Sequence, residues 1–235
     1  MIKSLEQKFS VLNPWFDDLT YNWDEIIEHG TKVSYKKNEI IFRQNEKAKV
    51  IYIVLHGRVR LFLLSPDGEE KAISIVGKNG VIGECSLNED GLYSTNAITN
   101  SKVEVIAVQR SIFADKINKN PLYSQQLLDL MSKKYRLLCM HTLQLSYIKS
   151  LPRICATFVH LSIKYGEKLK NGEVKLTISF THQEMADLLG VTRVTVAKNI
   201  KWLEENEYIK KVGRNYVIRD LDELADLANN DLLLD

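Results

Sequence analysis

The sequence predicts an α+β chain in three parts: a β-roll, a long dimerisation helix and a winged helix-turn-helix. Three observations predict it. From Thr31 to about Val108 the apolar residues alternate or form short runs bounded by turn chemistry, which is the strand signature. After Ser111 the spacing becomes helical, and beyond Thr181 two capped helices are joined by a glycine turn and followed by a basic hairpin. The expected boundaries are residues 1–120, 121–150 and 151–235.

Taken in order, Val33 and Tyr35, Ile40 to Phe42, Val50 to Leu55 closed by Gly57, and Val59, Leu61 and Leu63 read as successive strands. Ser65-Pro66-Asp67-Gly68 is a tight turn, with proline presetting φ and glycine supplying a position with φ > 0. Ala72 to Val76, Val81-Ile82, Tyr93 to Ile98 and Val103 to Val108 continue the series, and many short strands at this spacing make a sandwich or roll. Phe113 and Ile117 begin the helical spacing, and Pro121 suits the first turn of a long helix running to about Lys149. Along it Leu128, Tyr135 and Thr142 fall seven apart, as do Met131, Leu138 and Leu145. Two such rows make a coiled-coil seam; packing of the stripe on the roll is the alternative.

Pro152 starts the next helix, which ends at Gly166, and Val174, Leu176 and Ile178 alternate as a short strand. Thr181-His182-Gln183-Glu184 is a capping box. Met185, Ala186, Leu188 and Leu189 form the apolar face of that helix, Gly190 takes the left-handed turn, and Thr192 caps a second helix from Arg193 to Glu205 anchored by Val196, Ile200 and Leu203. Ile209 to Val212 and Tyr216 to Ile218 flank the turn Gly213-Arg214-Asn215 as a wing.

Charge locates the chemistry. Thirty-two basic against thirty acidic residues leave a net charge of only +2, so a basic patch has to be local. Val191 to Leu203 holds Arg193, Lys198 and Lys201 with no acid, and Tyr208 to Arg219 holds Lys210, Lys211, Arg214 and Arg219 with none. Double-stranded DNA is the expected partner. Wing cations, Lys210, Lys211 and Arg214, would meet phosphates, and the exposed first turns of the second helix, Thr192 to Lys201, would meet base edges. A solvated basic face is the alternative, opposed by the agreement of caps, turn, charge and wing.

The three cysteines, Cys85, Cys139 and Cys155, are odd in number and widely spaced, as expected of reduced thiols in a cytoplasm. Lys3, Glu6, Lys8, Asp17 and Asp18 interrupt any leader-like apolar stretch near the start, and no eighteen-residue apolar run follows, so no membrane partner is expected. An enzyme reading, a cupin-like metal oxygenase, lacks its ligands: the histidines are scattered and no H-x-H pair occurs.

With these residues in hand, the whole chain resembles the cyclic-AMP receptor / fumarate–nitrate regulator family of bacterial transcription factors. The most specific segment is Thr181 to Lys198, followed by Leu203-Glu-Glu-Asn-Glu-Tyr-Ile209. The resemblance implies a homodimer on a palindromic operator, with RNA polymerase as a further partner if it activates. It also implies operator contacts at Thr192, Arg193, Thr195 and Lys198. Many family members have glutamate where this chain has Val194. Glutamate accepts from cytosine N4, whereas valine offers only apolar contact, best to a thymine methyl, so an A·T-rich half-site is expected. The run Val194-Thr195-Val196 is similar to that of the halorespiration regulators, which respond to chlorinated aromatic compounds.

The roll carries a departure too. Gly83-Glu84, Leu87, Gly91 and Ser94-Thr95 resemble the family's phosphate-binding cassette, but Ser94 stands at the arginine position. Without a guanidinium a buried cyclic phosphate lacks its charge-assisted bonds, so cyclic AMP is not the expected effector. The iron–sulfur branch does not fit either, since no cysteine precedes Cys85. No local arrangement singles out a haem-ligand pair, and no cofactor is assigned. A small aromatic or organic acid, such as a halogenated phenol, is expected at Gly83, Glu84, Tyr93, Ser94 and Thr95, with Lys133 and Lys134 as candidate cations. Solvated helix lysines are the plain alternative for those two. A ligand-independent, redox-controlled or haem-controlled regulator is the rival reading, with Cys85 and Cys139 as the thiols to consider.

Overall fold

The computed structural model describes residues 15–17, 19–147 and 149–229; the side chain of Leu145 lies outside the described set. The chain divides into two compact units between Tyr135 and Arg136, each described by itself.

In the first unit, β1 (Trp15–Phe16) precedes the short helix α1 (Asp24–Ile27) and the strands β2 (Thr31–Tyr35), β3 (Ile40–Phe42), β4 (Val50–His56), β5 (Val59–Leu64), β6 (Glu70–Val76), β7 (Val81–Ile82), β8 (Asn96–Thr99) and β9 (Val103–Gln109). They form two sheets, ordered β1-β6-β5-β8-β3 and β2-β9-β4-β7. All strand pairs are antiparallel except the parallel β1–β6 pair. Ile51, Ile53, Val54, Val59, Val76, Val81, Val103, Val105 and Val108 are fully buried. Those β-branched runs fit a pleated, doubly covered surface. The Ser65–Gly68 turn closes with Gly68 N–H donating to Ser65 O at 3.0 Å.

Helix α2 (Arg110–Lys119) follows, and α3 (Pro121–Tyr147) begins after Asn120, whose side chain accepts from Leu122 N–H at 3.0 Å. Trp23, 1% exposed, seals this end. Its ring packs with those of Tyr21, Phe113 and Tyr123 at 5.9–6.1 Å, and its indole N–H donates to Asn79 O. Within α3, Tyr123, Leu127 and Leu130 are buried, whereas Leu128, Met131, Tyr135, Leu138 and Thr142 are exposed. The described members of the heptad rows are therefore on the open face of the helix.

In the second unit, α4 (Ser150–Tyr165) leads into β10 (Gly166–Lys168) and β11 (Val174–Leu176), then α5 (His182–Leu189), α6 (Arg193–Glu205), β12 (Ile209–Val212), β13 (Asn215–Ile218) and α7 (Leu221–Asn229). The four strands form one sheet, β10-β11-β13-β12. Helix α4 is buried from Pro152 to Ser162 and forms the unit's centre.

Four boundaries differ from the sequence-based expectation. Tyr93, Ser94 and Thr95 lie outside the ladder: the Tyr93 backbone bonds to Asn45 and Glu46 instead, and its ring stacks on Phe42 at 3.9 Å. The α4 helix starts at Ser150, so Pro152 sits within its first turn, where a missing N–H costs nothing. Ile178 falls outside β11, and α3 stops at Tyr147 rather than Lys149.

Candidate nucleic-acid interface and effector site

The helix-turn-helix is built by local hydrogen bonds. Thr181 Oγ1 accepts from Glu184 N–H at 3.1 Å, while Glu184 Oε2 accepts from Thr181 N–H at 2.7 Å. Gly190 ends α5 at φ 64°, ψ 46°, the left-handed conformation that suits glycine. Arg153, 9% exposed, secures that turn from inside by donating to Leu189 O at 2.6 Å. Thr192 then caps α6, accepting from Thr195 N–H at 3.1 Å. Met185, Ala186, Leu188 and Leu189 of α5 and Val196, Ile200 and Leu203 of α6 are buried.

With its apolar side turned inward, α6 presents Thr192, Arg193, Val194, Lys198 and Lys201 to solvent, with Thr195 half-buried. Val194 is 76% exposed, an exposure with no packing purpose. Arg193, Lys198, Lys211 and Arg214 carry no ion pair among the described residues, and Lys201 has only an exposed partner, Glu205, at 3.5 Å. Lys210 is committed differently from the sequence-based expectation. Its ammonium donates to both Glu173 oxygens at 2.6 Å, and this pairing holds the Glu173 carboxyl below the usual carboxylate range. That leaves Lys211 and Arg214 as the wing's exposed cations.

The cassette forms a second centre. Gly83, at φ 86°, caps a 3-10 turn over Glu84–Leu87, and a Cβ there would stand 3.0 Å from the Tyr93 ring. Glu84 is 2% exposed, and its Oε1 lies 2.7 Å from Lys134 Nζ, which also donates to Val81 O at 2.9 Å. Lys134 is thus brought to the cassette and Lys133 is not: Lys133 donates to Asp129 Oδ2 at 2.6 Å and to the Tyr21 hydroxyl at 3.2 Å. Tyr93 Oη donates to Val50 O, Ser94 is exposed, and Thr95 is half-buried. Arg110, passed over in the sequence because it lies beyond the cassette, ties the loop down through Ser86 O and Asn88 O at 2.8 and 2.9 Å. Cys85 sits beside Glu84, and desolvation followed by that carboxylate pushes its thiol up to about 11. Redox-sensing thiols are instead low in pKa.

No group of three or more His, Cys, Asp or Glu residues able to hold a metal occurs among the described residues, and no described helix is long and apolar enough to cross a membrane.

Comparison with known proteins agrees with this geometry. Residues 32–120 match the family model of the cyclic nucleotide-binding domain, and residues 152–227 match that of the Crp-like helix-turn-helix domain. The chain belongs to the CRP/FNR family of transcription regulators. This regulator is 25% identical over 193 residues to the CRP-like cAMP-activated global transcriptional regulator of Mycobacterium tuberculosis, covering 82% of this chain and 86% of that one. Its fold is similar to that of a CooA mutant from Carboxydothermus hydrogenoformans, at TM-score 0.75 and 17% identity, over 89% and 92% of the two chains. It is also similar to OCPA-complexed CprK, at TM-score 0.68 and 16% identity, over 92% and 97%. The family is one of transcription regulators, not of enzymes.

Proposed function

We propose that this CRP/FNR-family regulator works as a homodimer on a palindromic, A·T-rich operator, and that a small anionic aromatic molecule, rather than cyclic AMP, controls it. The exposed first turns of α6 carry the DNA reading: Arg193, Val194 and Lys198 stand free on a helix whose other side is buried. Thr192 and Thr195 join them at the cap. In a two-fold dimer the recognition helices would be about 34 Å apart, one turn of DNA.

The effector reading rests on the Glu84–Lys134 pair. An effector entering there meets one buried carboxylate and one ammonium, so it has to donate to Glu84 and accept from Lys134. A hydroxylated or phenolic acid does both, and a halogen would add apolar area. The exposed Ser94 leaves a cyclic phosphate without a guanidinium. A ligand-independent regulator is the second reading, favoured by the same pair, since Lys134 already satisfies Glu84. Activation through RNA polymerase comes from the family resemblance, and a reporter gene reads its sign.

Selection of bound duplexes from random DNA tests the first part. We expect two inverted half-sites, with A·T favoured opposite Val194; an obligatory G·C there would contradict the base assignment. Thermal-shift measurements against cyclic AMP, cyclic GMP, haem, chlorinated phenols and aryl acids test the second. Ligand at a hundred times its dissociation constant stabilises by about 2.7 kcal/mol. Response to aryl acids alone supports the effector reading, response to a cyclic nucleotide contradicts it, and silence favours the ligand-independent regulator.

A further inference from the structure

The sequence reading passed over His182, which stands at the first residue of α5, half-buried, with its Nε2 3.2 Å from the Tyr216 hydroxyl. The same Tyr216 ring carries the Lys211 ammonium on its face, 5.9 Å from the centroid. Behind it the ring is held by Phe180, stacked at 5.5 Å, and Phe158, edge-on at 5.3 Å. One rigid aromatic group therefore places an imidazole at its hydroxyl and an ammonium at its face. Arg193, exposed on α6, acts electrostatically on the same imidazole, as does Lys211, and Glu204 of α6 is the acid that opposes them. Of the ionisable groups around it, Tyr216 is kept in its neutral form by burial. Two of these residues, Arg193 and Lys211, belong to the DNA-facing set and have no carboxylate paired with them among the described residues.

We propose that His182, Arg193 and Lys211 together seat one DNA backbone phosphate, and that protonation of His182 completes the seat, so that DNA affinity is linked to pH. This rests on the DNA-binding reading above. In the free protein, burial and then the charges of Lys211 and Arg193 press the imidazole below its ordinary value, so it is neutral at pH 8. A backbone phosphodiester, which carries one negative charge, offsets those charges, and DNA binding then takes up a proton. Affinity consequently rises as pH falls through the interval between the free and bound values, by tenfold for each unit that separates them.

Fluorescence anisotropy with a selected duplex, at fixed 0.15 M salt from pH 8 to pH 5.5, tests this on the full-length chain. The expected result is a several-fold gain in affinity at the acid end for the unsubstituted protein. His182→Gln should abolish that gain, its affinity at pH 5.5 equalling its own affinity at pH 8. His182→Arg should bind at pH 8 as the unsubstituted protein does at pH 5.5, and should show no further gain on acidification. An NMR titration of the His182 imidazole should show its midpoint higher with DNA than without. An equal pH gain in His182→Gln, or a midpoint unmoved by DNA, overturns the proposal. Loss of all binding at pH 8 in the unsubstituted protein would instead remove the DNA reading on which it rests.

Discussion

At Glu84 a carboxylate 2% exposed is matched by one ammonium at 2.7 Å, and that match sets the cost of change at either residue. Removing one partner of a buried pair leaves the other uncompensated, at about 3–5 kcal/mol, whereas replacing both by apolar groups is often neutral. Lys134→Met should therefore lower stability by that amount in urea unfolding, and Lys134→Met/Glu84→Leu should recover most of it. A single substitution as harmless as the double would show that the pair contributes no constraint. The sequence displayed Glu84 and both lysines, but not which lysine pairs with it. The two partners are separated by 50 positions, and only the helical phase of α3 against the roll selects Lys134 while sending Lys133 to Asp129 and Tyr21. The Lys210–Glu173 contact was hidden for the same reason: Glu173 is 37 positions away, and strand pairing brings it across. Val194, by contrast, was legible, because its exposure follows from helix periodicity alone.

Among the elements, those defined by chemistry local in sequence were the most legible. The Thr181 capping box, the Gly190 turn and the Thr192 cap each involve residues three or four apart, so their spacing predicts them without knowledge of the fold. Thr181→Ala should cost about 1 kcal/mol of stability, read by chemical denaturation, with Thr181→Ser close to the unsubstituted protein. A serine variant as unstable as alanine would argue that the methyl group, not the hydroxyl, supports the turn. Elements whose ends depend on distant packing were less legible. The strand expected over Tyr93 to Ile98 begins only at Asn96, because the Tyr93 backbone bonds instead to Asn45 and Glu46, distant in sequence. Arg153, which no local motif marks, is a buried support for the recognition turn, 36 positions from the carbonyl it holds.

For the whole molecule, the decisive feature is the open face of α3. Leu128 and Tyr135 are 67% and 70% exposed, and Met131 and Leu138 are 40% and 46% exposed. The same helix buries Tyr123, Leu127 and Leu130 on its other side, so its core contacts are already made without these rows. Apolar residues repeating at seven-residue spacing are the seam of a two-helix contact, and a second copy of this helix presents the same rows, as a two-fold interface requires. Leu128→Glu/Met131→Glu places like charges opposite one another across that axis, at two exposed positions of the helix. The variant should therefore remain folded and sediment as a monomer at micromolar concentration, where the unsubstituted protein should sediment as a dimer. Its affinity for a palindrome should fall by about 10²–10⁴, the advantage that linkage of two binding modules confers, while its affinity for a single half-site should stay unchanged. A dimer that survives both substitutions would move the two-fold axis away from α3, and equal losses on half-site and palindrome would mean that the charges disturb the DNA-binding unit rather than the seam.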